Sequence, residues 1–116
     1  MNSIVFKGID ELGKCYLCGK TGQHVHHLIP GTANRANSER EGLKVLLCLD
    51  CHNLVHLIGN LMKILRVIGE LAYIQSYFRE VAIGIVNEEL SGDCTEEQYF
   101  ENAVQCFRDI FGKSFI

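Results

Sequence analysis

The sequence lacks the features that define several large classes of protein. It contains no internal repeat and no low-complexity segment, so it does not encode a repeat array. Asn60, Lys63 and Arg66 interrupt the apolar stretch that begins at Leu54. No uninterrupted apolar run in it approaches the length of about 20 residues that a membrane-spanning helix needs. Met1–Lys7 has neither the charged start nor the long apolar run of a secretory signal. We therefore expect a cytoplasmic protein with no membrane partner.

The sequence also lacks an excess of positive charge, since its 116 residues carry a net charge of −3. A negative balance argues mildly against nucleic-acid binding, so the distribution of charge along the chain matters. Residues 13–66 contain seven Lys or Arg and three Asp or Glu, whereas residues 67–116 contain three and nine. The first half is therefore modestly basic. We expect it to attract phosphate groups only weakly unless a second metal ion adds charge.

Four of the six cysteines form two Cys-x-x-Cys pairs, Cys15 with Cys18 and Cys48 with Cys51. Two intervening residues allow both sulfur atoms of a pair to reach one tetrahedral Zn²⁺. The alternative interpretation, buried or redox-active cysteines, is weaker because cytoplasmic cysteine pairs usually bind metal. The two pairs together predict a closed structural zinc site that leaves nearby histidines free for another role. Two further cysteines lie outside the pairs and are interpreted as small, buried or half-buried helical side chains, Cys94 and Cys106.

Histidines follow both cysteine pairs closely. The first pair is followed by His26-His27-Leu28-Ile29-Pro30, and the second continues as Cys51-His52-Asn53-Leu54-Val55-His56. In order, spacing and residue type, the segment Cys15–His56 resembles the zinc-stapled HNH (His-Me finger) nucleases. Gly31–Arg35 and the ending Phe107–Ile116 are similar to segments of small phage and prophage HNH proteins.

The resemblance implies two roles for the adjacent histidines of the first strand. His26 corresponds to a ligand of the catalytic metal, and His27 corresponds to the general base that deprotonates water. A neutral imidazole suits that reaction at neutral pH. Strand alternation sends neighbouring side chains to opposite faces, so the convergence of His26 and His27 on one site is an expectation taken from the family.

The resemblance also implies that His52, at the start of a helix, binds the same metal opposite His26. His56 lies one turn later on the same helix face and is a further candidate ligand. Imidazole ligands favour Zn²⁺, Ni²⁺ or Mn²⁺, whereas Mg²⁺ prefers oxygen ligands, and the family includes members that use Mg²⁺. We therefore expect a second divalent metal beside the structural zinc, and its identity stays open among these four ions.

One position departs from the family pattern. The middle Asn of the family lies on the second strand, five residues before the third cysteine, where it braces the loop and the base. Leu43 occupies that position in this sequence. Asn34 or Asn37 could substitute for it, although neither matches the motif. His24 lies close to His26 in sequence and is interpreted as a surface strand residue.

The sequence predicts an α+β fold within a single domain, residues 1–116. Residues 13–58 are expected to form a ββα-metal (HNH) finger that the four-cysteine zinc holds together, because the finger has little apolar core of its own. Residues 59–116 have apolar positions at three- and four-residue steps and are predicted to form a helical extension. Ile4–Phe6 could add a short edge strand.

The predicted finger consists of a strand, a polar flexible loop and a second strand, over Gln23–Ile29, Thr32–Glu41 and Leu43–Leu47. A helix then opens at the second cysteine pair and is expected to continue into the extension, with a kink or break at Gly69. Thr95-Glu96-Glu97-Gln98 has the form of a capping box and predicts the start of a last helix. Gly112 is expected to end that helix.

Two functions are consistent with this pattern. The first is a metal-dependent HNH endonuclease that hydrolyses DNA phosphodiester bonds, with His27 as base and with Arg35, Arg40 or Lys44 on neighbouring phosphates. The alternative is a non-catalytic, zinc-finger-like module derived from an HNH finger, which binds nucleic acid or protein. The departure at the Asn position and the acidic helical half favour the alternative. The wide apolar face of Leu54–Leu71 further predicts a homodimer through the helical half.

Overall fold

The computed structural model describes residues 3–5 and 13–116. Over these ranges the chain forms a two-stranded antiparallel sheet and four helices, which confirms the mixed α+β class. Ile4 and Val5 are not in a strand, and Phe6 of the expected edge strand lies outside the described residues. The elements in chain order are β1 (His24–His27), α1 (Thr32–Glu41), β2 (Lys44–Leu47), α2 (Leu49–Leu57), α3 (Gly59–Val86) and α4 (Glu96–Phe111).

The sheet provides two faces on which different helices lie. β1 and β2 pair in antiparallel register with His27 opposite Lys44, and both strands fall within the segments predicted for them. Because side chains alternate along a strand, His24 and His26 leave one face of the sheet and His27 leaves the other. Helix α2 contacts the face of His24 and His26, whereas α1 contacts the face of His27.

The segment Thr32–Glu41 is a helix, so the prediction of a flexible loop there is wrong. The segment has no apolar stripe, which is the usual sequence signal of a helix that packs on a core. Polar contacts replace that stripe. The fully buried Ser38 hydroxyl donates to the Ile29 carbonyl (2.9 Å). The side-chain amides of Asn34 and Asn37 donate to backbone carbonyls at the end of α4.

The helix that opens at the second cysteine pair breaks at Ile58, and not at Gly69 as expected. Ile58 has extended backbone angles (φ −106°, ψ 101°), so α2 and α3 are separate helices. Helix α3 continues unbroken through Gly69 to Val86. A Cβ at residue 69 would lie 3.1 Å from the Leu28 Cβ and 3.2 Å from the Ile29 Cδ1. This glycine therefore allows α3 to approach the segment after β1 closely.

One apolar core joins the sheet to the long helices. Its members from the first part of the chain and from α3 and α4 form a single buried cluster that includes Leu28, Ile29, Leu43, Val45, Leu47, Val55, Leu65, Ala72, Phe107 and Phe111. The finger and the extension are thus packed against each other. Among the described residues, no helix has the length and hydropathy needed to cross a membrane.

Helix α4 has the bounds that the sequence predicts. The Thr95 hydroxyl accepts from the Gln98 N–H (3.2 Å), and the Gln98 side chain accepts from the Thr95 N–H (2.8 Å), which completes the capping box. Gly112 ends the helix in the left-handed conformation (φ 90°). The chain end beyond it is fixed on α3, because the buried Glu70 carboxylate accepts from the Ser114 hydroxyl (2.6 Å).

Asn37→Asp tests whether polar contacts fix α1. Asp has nearly the same shape and helix propensity as Asn but cannot donate to the Ile110 carbonyl, which the Asn37 amide meets at 3.0 Å. We expect the free energy of unfolding to fall by roughly 1–3 kcal/mol. The measurement is urea unfolding, and Asn102→Asp, the same substitution at an exposed position of α4, is the control. Equal midpoints for the two variants would contradict the assignment.

Candidate functional site

The two cysteine pairs meet in space, as predicted. Their four sulfur atoms lie within 4.8 Å of one another, and the Sγ atoms of Cys18 and Cys48 are 3.7 Å apart. A tight turn shapes the first pair, since the Gly19 N–H donates to the Cys15 carbonyl (3.0 Å) and Gly19 is left-handed (φ 78°). In the second pair, Cys48 is the N-cap of α2 and its sulfur accepts from the Cys51 N–H (3.4 Å).

The environment of this cysteine cluster suits thiolates bound to a cation. Burial acts to raise the pKa of the Cys15 thiol, but backbone N–H groups, first that of Cys18 and then that of Cys48, lower it to about 6. Burial, followed by hydrogen bonding with the neighbouring sulfurs, raises the pKa of Cys51. Four sulfurs this close cannot all ionise unless a cation lies among them. The cluster could therefore hold a metal ion such as zinc.

Three histidines from two elements form a second cluster. His26 on β1 faces His52 and His56 on α2, and ring nitrogens of the three lie within 4.8 Å of one another. The Nε2 atoms of His52 and His56 are 3.3 Å apart, as expected for side chains separated by one helical turn. His26 is 5% exposed, and its Nε2 has no hydrogen-bond partner among the described residues. A buried polar nitrogen is costly unless a ligand satisfies it.

Two members of this histidine cluster, the buried His26 and the half-buried His52, are held in the neutral form. Burial, followed by the neighbouring His52 and His56, lowers the pKa of His26 to about 4. Burial and then His56 also lower the pKa of His52. His24 is half-buried and stacks on His52 with ring centroids 5.3 Å apart, so it supports the cluster and is not only a surface strand residue. Neutral imidazoles keep a lone pair that can bind a cation.

His27 reaches the same cleft although it leaves the opposite face of the strand. The cleft has a volume of about 500 Å³, and its lining includes His26, His27, His52 and His56. Strand β1 ends at His27 and the chain bends at the next two residues, and the cleft extends past this end of the strand, so both neighbours line it although their side chains leave opposite faces. Arg35 of α1 lines the cleft as well.

A carboxylate that the sequence analysis did not identify holds His27. The Nε2 of His27 lies 2.7 Å from Oε2 of Glu39, and Oε1 of Glu39 accepts from the Lys44 Nζ (2.7 Å). These two hydrogen bonds, first that of Lys44 and then that of His27, lower the pKa of Glu39. No motif marks Glu39 in the sequence. Only the formation of helix α1, in a segment predicted to be a loop, brings this residue over β1.

The three cations expected to hold phosphates have different environments. Arg35 lines the histidine cleft. Arg40 is exposed and donates to the Asn37 amide oxygen (2.8 Å), and it is not among the residues that line the cleft. Lys44 is 1% exposed and its ammonium is paired with Glu39, so it cannot reach a phosphate at the surface. We therefore remove Lys44 from the candidate nucleic-acid-binding residues.

Neither Asn34 nor Asn37 replaces the bracing Asn that the resemblance to HNH nucleases leads one to expect at residue 43. Leu43 is fully buried in the apolar core and offers no hydrogen bond from its side chain. The amides of Asn34 and Asn37 donate to the carbonyls of Phe111 (3.2 Å) and Ile110 (3.0 Å). Both asparagines therefore hold α1 on α4 and do not brace the cleft.

A scan against protein-family models, a search of the curated proteins and a search of the solved structures each found no match to this chain. A function for this chain therefore rests on the cysteine cluster, the histidine cluster and the cleft. The cysteine cluster alone does not distinguish an HNH finger from other folds that use a four-cysteine zinc.

Cys48→Ser tests the cysteine cluster. We expect this variant to lose its bound zinc and the local structure of the cysteine turn and of the start of α2, because metal binding supplies folding energy there, at the margin of the core shared with α3 and α4. The measurements are zinc content per chain and circular dichroism. Cys94→Ser is the control, since Cys94 lies outside the cluster. Cys94 is exposed and precedes α4, so its interpretation as a buried or half-buried helical side chain is wrong, whereas Cys106 is half-buried within α4. Zinc retained by Cys48→Ser at the parent level would contradict the assignment.

Proposed function

We propose that this chain is a metal-dependent endonuclease of the HNH (His-Me finger) type that hydrolyses phosphodiester bonds of DNA. The observation that carries the proposal is the meeting of His26, His52 and His56 in one cleft with a fourth histidine, His27. Neutral imidazoles that can bind a cation, next to a separate base, are the groups that metal-assisted hydrolysis of a phosphodiester requires. We also propose a cytoplasmic location, where the cysteines stay reduced.

The histidine cluster would hold the catalytic divalent metal, apart from the structural zinc on the cysteines. The buried Nε2 of His26, which has no hydrogen-bond partner among the described residues, supports this assignment. When bound, the metal would supply positive charge against the charge that develops on the phosphoryl group. Three imidazole ligands favour Zn²⁺, Ni²⁺ or Mn²⁺ over Mg²⁺, which prefers oxygen ligands.

His27 would act as the general base. It would accept a proton from water, whose oxygen attacks phosphorus as the bond to the 3′-oxygen breaks, and the leaving 3′-oxygen would take a proton from solvent water. By resemblance to the HNH nucleases, the products would carry 5′-phosphate and 3′-hydroxyl ends. Arg35, which lines the cleft, would hold a neighbouring phosphate, and the exposed Arg40 would contact the DNA backbone farther away.

A second candidate function is a non-catalytic, zinc-finger-like module that binds nucleic acid or protein. The fully buried Leu43 at the position of the family's Asn favours this alternative, as does the acidic helical half. It leaves the buried Nε2 of His26, which has no partner within the described part of the chain, without a ligand, and this is energetically costly. We therefore place it second. The two functions differ in whether DNA is cut.

Plasmid nicking tests the endonuclease. Protein that carries its structural zinc is incubated with supercoiled plasmid and Mg²⁺, Mn²⁺, Ni²⁺ or Zn²⁺ in turn. We expect nicking with at least one metal, and His27→Ala should reduce its rate by roughly 10²- to 10⁴-fold, the usual contribution of a positioned base. His52→Ala should abolish nicking and weaken binding of the second metal. Neither variant should change the zinc content of the cysteine cluster.

Gln23→Ala is the matched control, because Gln23 is exposed immediately before β1 and lies outside both clusters. It should nick at the parent rate. Absence of cleavage with all four metals would favour the binding module instead. Cleavage by His27→Ala at the parent rate, or release of the structural zinc by His52→Ala, would show that the assigned roles are wrong.

We further propose that the chain forms a homodimer through apolar side chains exposed along α2 and α3. Leu57 is 79% exposed, and Leu54, Ile58 and Ile64 are also at the surface. Large apolar side chains exposed at close spacing along one segment are typical of association surfaces. Light scattering at tens of micromolar should give twice the chain mass of 13.1 kDa, and Leu57→Lys should give that mass itself. A monomeric parent protein would remove the proposal.

A further inference from the structure

We infer that Glu39 is a positioning residue for His27, an inference that rests on the proposed hydrolysis of phosphodiester bonds. Its carboxylate holds the imidazole through Nε2, at 2.7 Å, and leaves Nδ1 as the nitrogen that accepts the proton of the attacking water. Glu39 is not among the described residues that line the histidine cleft, so we assign it a role through His27 and none on the substrate. Glu39 would therefore brace His27 in place of the Asn of the HNH pattern, whose position Leu43 occupies.

The carboxylate is held at both of its oxygens. Oε1 accepts from the Lys44 Nζ at 2.7 Å, while Oε2 faces His27. His27 and Lys44 are directly opposite in the register of β1 and β2, so their side chains leave the same face of the sheet. Helix α1 lies over that face, and the buried hydrogen bond of its Ser38 fixes the residue next to Glu39. One carboxylate on α1 thus bridges a cross-strand pair.

This arrangement differs from an ordinary surface ion pair, which contributes little order. The side chains of Lys44 and His27 are only 2% and 15% exposed. A buried ammonium requires an oppositely charged partner, which the Glu39 carboxylate, itself 37% exposed, supplies. An ionised carboxylate can only accept hydrogen bonds. The Nε2 of a neutral His27 therefore carries the proton, and Nδ1 carries the lone pair.

The consequence is that His27 does not need the Asn of the family. Leu43, at that position, packs in the core, and the segment between the strands supplies the brace instead. His27 at the same time lines the cleft that contains the three-histidine cluster. His27 is thus held by α1 and also lines the cleft in which we propose that the reaction takes place.

The test uses variants built on Lys44→Met, because removal of Glu39 alone would leave a buried ammonium without a partner. Lys44→Met is the reference, since it removes the ammonium and keeps the carboxylate on His27. In Glu39→Leu/Lys44→Met the hydrogen bond to Nε2 is lost. In Glu39→Gln/Lys44→Met the amide oxygen can still accept from Nε2–H, so this variant is the conservative rescue.

Plasmid nicking measures the catalytic consequence. Relative to the reference, Glu39→Leu/Lys44→Met should lose roughly 10- to 100-fold in kcat, the usual effect of losing the partner that orients a functional histidine. KM should stay unchanged, because Glu39 does not contact DNA. The Gln variant should recover most of the lost rate. Equal zinc content and helical signal in the three proteins exclude a general loss of the fold.

Nitrogen NMR of the imidazole measures the hydrogen bond without reference to activity. With ¹⁵N-labelled protein at constant pH, the His27 Nε2–H proton should be visible in the parent and reference, because the carboxylate shields it from exchange with water. It should disappear in Glu39→Leu/Lys44→Met. No such signal in the parent, or the same kcat in the Leu variant and the reference, would overturn the inference. If the parent cuts no DNA, the proposed function fails, and the NMR signal still decides whether Glu39 orients His27.

Discussion

The gathering of four sulfur atoms within 4.8 Å is the constraint on which the histidine arrangement depends. Cys48 follows β2, belongs to the cysteine cluster and is the N-cap of α2, so its sulfur fixes where that helix begins. His52 and His56 then lie on the face of α2 that meets His26. Two strands of four residues each are too short to hold a helix on their own. A metal on the cysteines would therefore stabilise the finger and place two of its histidines together.

Helix α1 is fixed by polar contacts where most helices use an apolar stripe. Its Ser38 hydroxyl is buried against a backbone carbonyl, and Asn34 and Asn37 bond to the end of α4, more than 70 residues away in the sequence. These contacts orient the helix so that Arg35 borders the cleft and Glu39 lies over β1. The helical extension thus contributes to the site, because α4 provides the carbonyls on which α1 rests.

The neighbouring side chains of His26 and His27 on β1 lie in different environments. His26 is turned towards α2, where burial keeps it neutral beside two other histidines. His27 is turned towards α1, where a carboxylate shared with Lys44 holds it. Both line one cleft because the strand ends there. Because their neighbours differ, His26 is suited to bind a cation and His27 is suited to accept a proton.

The sequence alone determined the features that depend on local spacing or on a single residue type. The cysteine pairs, the strand positions, the histidines on α2 and both ends of α4 are signals of this kind, because metal geometry and helix capping act over a few residues. Only the tertiary structure decided that α1 is a helix, that Lys44 is buried and that Glu39 meets His27. These outcomes depend on polar contacts between distant segments, such as Asn34 with a carbonyl 77 residues away, and such contacts leave no periodic pattern in the sequence.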